Sequence, residues 1–136
     1  MVKKKVKEVP SSLRTWFLIH FVADYLFGIP LLFFPETFLR FCGLPVNDLL
    51  PMRLVGAALL GIGGISLLSN KAGFETYNSL LNLKIIWSVS AIIGILITMS
   101  QGYPSVGWLF FFIFLIFSLI WIYYKLRINN NLFKLK

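Results

Sequence analysis

His20 and Asp24 are the two residues whose types and spacing are best suited to chemistry. They are four residues apart in an apolar stretch, so on a helix they share one face. An ionised Asp in the middle of a membrane helix costs about 2.5–3.5 kcal/mol. We therefore expect Asp24 to face the protein interior and to be partnered or protonated. The pair could bind a small ligand, a quinone head group or a proton, and the alternative is a polar clamp that only fixes helix packing.

Besides His20 itself, two basic residues are candidate partners of Asp24. Lys84 follows the start of the third apolar run, and Arg53 opens the second. The simpler interpretation of Lys84 is that its amine extends to the lipid head groups. The simpler interpretation of Arg53 is that it binds lipid phosphate or a nearby carboxylate. The predicted polar site comprises His20, Asp24, Arg53 and Lys84, and no catalytic residue is assigned.

The composition is that of an integral membrane protein. The chain has 136 residues, of which 58% are hydrophobic, and its mean hydropathy is +0.83. Charged residues make up 13%, about half the usual share in soluble domains. A soluble protein of this length could not hide so much apolar surface. We therefore expect a single membrane domain.

The net charge of +8 is concentrated at the two ends of the chain and does not indicate nucleic-acid binding. No base-reading or base-stacking motif accompanies it. Basic residues that flank apolar runs instead contact anionic lipid and set topology. With one Cys and one His, the sequence also offers no intrachain disulfide and no zinc site of ordinary spacing. The flanking basic residues are Lys3, Lys4, Lys5, Lys7 and Arg14 before the first run, and Lys125, Arg127, Lys134 and Lys136 after the last.

Four apolar runs predict an all-α fold, a bundle of four transmembrane helices. Between the first two helices, residues 35–43 contain Glu36 and Arg40 among apolar residues, which favours a short helix at the membrane interface over a plain loop. The predicted spans are about 13–34, 51–69, 76–100 and 104–128, within a transmembrane domain 11–128 between basic tails 1–10 and 129–136.

The positive-inside rule predicts the orientation of these spans. With four spans, both termini and the link after the second helix lie on one side. Of the 13 Lys and Arg residues, only Arg40 and Arg53 then fall on the other side. We expect a cell-membrane protein with both termini in the cytoplasm.

Small residues mark two faces as candidate packing stripes. In the second helix Ala57, Gly61 and Gly64 recur at i, i+4 and i+7, and Gly56 adds to the small surface. Such stripes let helices approach closely in lipid. The sequence therefore predicts this helix as the packing centre of the bundle. Ser90, Gly94 and Thr98 form a second predicted packing stripe on the third helix.

The stretches GIPLLFFPETFLRFCGLP and RLVGAALLGIGGISLL, which follow an acid in the first helix, resemble the small DoxX-like superfamily of four-helix membrane proteins. The similarity covers roughly residues 20–70. In that group an Arg opens a second helix that is rich in small residues. The corresponding residues here are Arg53, Gly56, Ala57 and Gly61. The resemblance implies a four-helix bundle, and some relatives are associated with membrane redox complexes and quinones.

The sequence thus predicts a small accessory membrane protein or a lipid- or quinone-binding bundle. It favours a non-enzymatic protein over an enzyme. One alternative is a membrane enzyme, a redox subunit or small-lipid isomerase, that uses His20 and Asp24 as an acid–base pair. A second alternative is a component of an oligomeric transporter. No cofactor is firmly indicated, with quinone or lipid as the candidates, and the expected partners are membrane lipid, further copies of the chain or a larger membrane complex.

Overall fold

The computed structural model describes residues 8–133, with side chains described through residue 130. Residues 1–7 of the predicted N-terminal tail and 134–136 of the C-terminal tail lie outside the described chain. The described residues form α-helices and no strands. The helices are α1 (Ser11–Phe33), α2 (Pro35–Phe41), α3 (Leu50–Leu68), α4 (Phe74–Ser100) and α5 (Val106–Phe133).

Four of these helices are long and apolar enough to cross a membrane. Their most apolar stretches have mean hydropathies from 1.6 in α3 to 2.4 in α5. This confirms the predicted all-α class, with four spanning helices and a short helix after the first. The helix ends differ from prediction by a few residues, most at α5, which continues to Phe133 through residues predicted as tail. No Pro or Gly interrupts that stretch, so nothing in the sequence ends the helix at residue 128.

The chain divides into two compact units, Arg14–Lys71 and the rest of the described chain. In the unit Arg14–Lys71, α1 and α3 run antiparallel. At one end the Arg14 guanidinium donates a hydrogen bond to the Asn70 carbonyl. At the other end α3 meets the backbone of α1, because a Cβ on Gly56 would lie only 2.7 Å from the Leu32 nitrogen and 2.9 Å from the Gly28 carbonyl oxygen. Glycine is therefore required at position 56 for this approach.

The short helix α2 packs on the end of α1. The Phe27 and Phe38 rings meet edge to face with centroids 6.2 Å apart, and Leu39 is buried. Gly43, with φ of +68°, ends the segment in the left-handed conformation. Glu36 and Arg40 form an exposed ion pair of 2.9 Å, one turn apart as predicted.

Helices α4 and α5 form an antiparallel hairpin. The turn between them uses Gly102 at φ +84°. The Trp87 and Phe114 rings contact each other in the middle, with centroids 6.5 Å apart. At the far end Lys125 Nζ donates to Asn78 Oδ1 at 2.5 Å. These contacts extend from the turn to Asn78 of α4 and Lys125 of α5.

The packing stripe on α3 differs from the predicted one. The buried residues are Gly56, Leu59, Gly63 and Ser66. Ala57 is exposed, and a Cβ added to Gly61 meets nothing within 4 Å. Gly56 was among the predicted packing residues and is buried, whereas Gly63 packs where Gly64, about 100° away around the helix, was expected. Both faces carry small residues, so spacing alone did not select between them.

The predicted stripe on α4 is also wrong for the packing within the described chain. Ser90 and Gly94 are exposed, and a Cβ on Gly94 meets nothing within 4 Å. The Thr98 hydroxyl donates to the Gly94 carbonyl oxygen at 2.8 Å, a bond inside its own helix. The buried face of α4 instead carries three large side chains and one serine. The buried residues of α4 are Tyr77, Leu81, Lys84 and Ser88.

Candidate functional site

His20 and Asp24 form a buried pair on α1. Their relative exposures are 6% and 5%. His20 Nδ1 lies 2.7 Å from Asp24 Oδ2, an ion-pair distance. The approach is not aligned as a hydrogen bond, and Oδ2 accepts none from the described residues. The structure therefore brings together the first two predicted site residues and leaves a buried carboxylate oxygen with hydrogen-bonding capacity.

The pair lies deep within its helix. Asp24 is roughly 20 Å along the axis from the Ser11 end of α1 and 14 Å from the Phe33 end, at 1.5 Å per residue. Apolar surroundings disfavour an isolated charge, and they strengthen any hydrogen bond that a ligand makes there. A polar group at this depth is therefore well placed to hold a molecule that is itself dissolved in the membrane.

Gly63 of α3 lies directly against Asp24. A Cβ at this position would be 2.7 Å from Asp24 Cβ and 3.2 Å from Asp24 Oδ2. It would also be 3.1 Å from Tyr25 Cδ2. Sequence reasoning missed Gly63 because it assigned the packing stripe to the neighbouring face. The signal that could have found it is an antiparallel alignment of α1 and α3 that places a glycine opposite the only acidic residue of α1.

Lys84 is buried, which contradicts the interpretation that its amine reaches the head groups. Its relative exposure is 1%, and Nζ lies 5.0 Å from the centre of the Trp121 ring on α5. Helix α4 begins at Phe74, so Lys84 lies roughly 15 Å along the axis from that end. The Trp121 ring stabilises the ammonium through its π face. Sequence reasoning also missed this contact.

Arg53 does not join Asp24. Arg53 is exposed at the start of α3, whereas Asp24 contacts α3 at Gly63. Ten residues separate these two positions on α3, which is roughly 15 Å along a helix axis. Arg53 is therefore not part of a cluster with Asp24, and it lies at the exposed start of α3.

The arrangement can donate and accept hydrogen bonds in an apolar setting. A neutral imidazole offers one N–H donor and one acceptor nitrogen, and a carboxylate offers two acceptor oxygens. Among the described residues no three His, Cys, Asp or Glu side chains come together as metal ligands. Comparison with protein-family models, curated proteins and solved structures finds no match to the chain.

Proposed function

We propose that this protein is a small accessory membrane protein that holds the polar head of a membrane-dissolved quinone or lipid against His20 and Asp24. The observation that carries this function is the Asp24 Oδ2 atom, which is buried, 2.7 Å from His20 Nδ1, and without a hydrogen bond from the described residues. Buried polar atoms are nearly always hydrogen-bonded, so such an atom points to an external partner.

A quinone head group fits the donors and acceptors of the pair. A quinol hydroxyl donates to the carboxylate, and a quinone carbonyl accepts from an imidazole or from a protonated carboxyl group. The apolar tail of either molecule stays in lipid, which also covers the exposed apolar side chains of α1, such as Val22 and Leu26. The ligand therefore needs no aqueous path to the site.

The test replaces the carboxylate while keeping its shape. The protein is purified in lipid nanodiscs, co-extracted quinones and lipids are identified by mass spectrometry, and a short-chain benzoquinone is titrated into the same discs. We expect Asp24→Asn to lose the co-extracted molecule and to weaken benzoquinone binding about tenfold or more, since a hydrogen bond to a charged group contributes about 1.5–3 kcal/mol.

Asp48→Asn is the matched control. Asp48 Oδ1 accepts a hydrogen bond of 2.9 Å from the Leu50 nitrogen at the exposed start of α3. The amide of Asn retains that acceptor oxygen, so binding should not change. If Asp24→Asn binds as well as the wild type and only melts at a lower temperature, the pair is a packing clamp and the proposed function is wrong. A turnover that Asp24→Asn abolishes without unfolding would instead identify an enzyme.

For localisation, we propose the cell membrane, with both termini in the cytoplasm. The support is the charge bias of the sequence, in which the basic residues outside the spans gather on one side. Lys84 is buried within α4 and is left out of this count of Lys and Arg. The side with both termini still carries most of the basic residues.

A further inference from the structure

Position 63 is where α3 lies closest to the candidate site. A Cβ on Gly63 would stand 2.7 Å from Asp24 Cβ, a separation that real Cβ atoms essentially never show. The atom it would meet is the first carbon of the Asp24 side chain, which cannot move without the α1 backbone. Relief of the clash therefore requires a shift of the α1 backbone away from α3 at Asp24, which also displaces the carboxylate.

The same added Cβ would also stand 3.2 Å from Asp24 Oδ2, the oxygen that faces His20. The missing side chain at position 63 thus leaves room for the one carboxylate oxygen that approaches the imidazole. We propose that Gly63 is a positioning residue, which holds Asp24 Oδ2 against His20 Nδ1 by the absence of its own side chain. Gly63 affects ligand binding only through this pair, so that part of its role rests on the function proposed above.

Other glycines of α3 separate positioning from general packing. Gly56 is as tightly packed as Gly63, because its Cβ would lie 2.7 Å from the Leu32 nitrogen. That contact is roughly 10 Å along the helix from Gly63 and does not involve Asp24. Gly61 is two residues from Gly63 and open, with nothing within 4 Å of an added Cβ. Gly56→Ala therefore shows the effect of forcing the two helices apart away from Asp24. Gly61→Ala shows the effect of replacing a glycine of α3 without any clash.

The single histidine of the chain gives a direct readout of the pair. With ¹⁵N-labelled histidine, every imidazole signal in the NMR spectrum belongs to His20, and its two nitrogen shifts report the tautomer and the partner of Nδ1. Asp24→Asn defines the spectrum of His20 without its carboxylate. We expect Gly63→Ala to move the Nδ1 shift towards that of Asp24→Asn, whereas Gly56→Ala and Gly61→Ala leave it at the wild-type position.

Binding of the short-chain benzoquinone is measured on the wild type and the same four variants. We expect Gly63→Ala to weaken it about tenfold or more, as Asp24→Asn does. If the wild type binds no benzoquinone and retains no lipid, the proposed function fails, yet the His20 shifts still decide whether Gly63 positions the pair. An unchanged His20 spectrum in Gly63→Ala overturns the positioning role. An equal change of the His20 shift in Gly56→Ala also overturns it, because a general separation of α1 and α3 would then explain the shift in both variants.

A wild-type measurement covers the case in which Gly63→Ala does not fold. The chain has two Asp residues, Asp24 and Asp48, so labelling Asp and Gly with ¹³C leaves few candidate cross-peaks. Solid-state NMR should show a cross-peak between the Asp24 side chain and Gly63 Cα. Its absence, with the Gly28–Gly56 cross-peak present as the internal control, would overturn the placement of Gly63.

Discussion

At the scale of single residues, the chain buries ionisable groups that a membrane helix ordinarily excludes. His20 and Asp24 face each other on α1, and Lys84 of α4 lies over the Trp121 ring. Each such group raises the free energy of the span that carries it unless a partner stabilises it. The partners differ in kind: a second ionisable group for Asp24, and an aromatic face for Lys84.

Trp121 should therefore be one of the most sensitive positions for stability. It is fully buried, and it both fills the interior and stabilises the Lys84 ammonium. Truncation of a buried Trp to Ala typically costs about 3–5 kcal/mol. We expect Trp121→Ala to lower the Tm, followed by circular dichroism in detergent, far more than Trp108→Ala. Trp108 is 46% exposed, and equal shifts in the two variants would contradict the burial of Trp121.

At the scale of helices, α2 has one face that docks and one that does not. Leu39 is buried, whereas Phe41, two residues later, is 89% exposed. Phe38 adds an edge-to-face contact with Phe27 of α1 on the docked side. A helix of this length is not stable alone, so these contacts hold it in place.

We expect Leu39→Ala to release α2, because the loss of a buried Leu costs about 2–5 kcal/mol and a helix of seven residues depends on its docking contacts. Hydrogen–deuterium exchange of the α2 amides should then speed up, while the amides of α4 and α5 keep their protection. Phe41→Ala is the control and should leave exchange unchanged. Faster exchange in Phe41→Ala than in Leu39→Ala would mean that the other face of α2 is the docked one.

The positions of the helices could be predicted from the sequence, whereas the faces through which they contact each other could not. Long apolar runs determine where helices form in lipid, and the Pro35–Gly43 segment carries its own start and stop residues, so these elements were predictable. Which face of α3 packs depends on the angle of contact with α1, and both faces contain glycine. His20 and Asp24 were predictable as a pair because one helix turn joins them. The burial of Lys84 was not, because it depends on a Trp 37 positions later in the chain.

At the scale of the whole molecule, the number of spans determines the side on which each end of the chain lies. If all four apolar helices cross the membrane, as we propose, the described ends of the chain lie on one side and the α2 segment lies on the other. Cys42, the only cysteine, directly follows α2 and is half-buried, so it provides a natural label for that side.

We expect a membrane-impermeant maleimide to label Cys42 on intact cells, and reporter tags on both termini to be cytoplasmic. Burial raises the pKa of the Cys42 thiol, which lowers the thiolate fraction at neutral pH. Labelling should therefore be slower than for a free cysteine peptide, and should accelerate about tenfold per pH unit below the pKa. Cys42→Ser is the control and shows how much labelling does not come from Cys42. Reporter tags found on opposite faces of the membrane would exclude four spans.

The Lys84–Trp121 contact also constrains how the chain enters the membrane during synthesis. When α4 leaves the ribosome, Trp121 has not yet been synthesised, so its contact with the lysine is missing, and a Lys at mid-span opposes insertion by about 2.5–3.5 kcal/mol. Trp121 is added 37 residues later, and the turn before α5 is short. Helices α4 and α5 should therefore partition into lipid together as a hairpin, with the later helix completing the insertion of the earlier one.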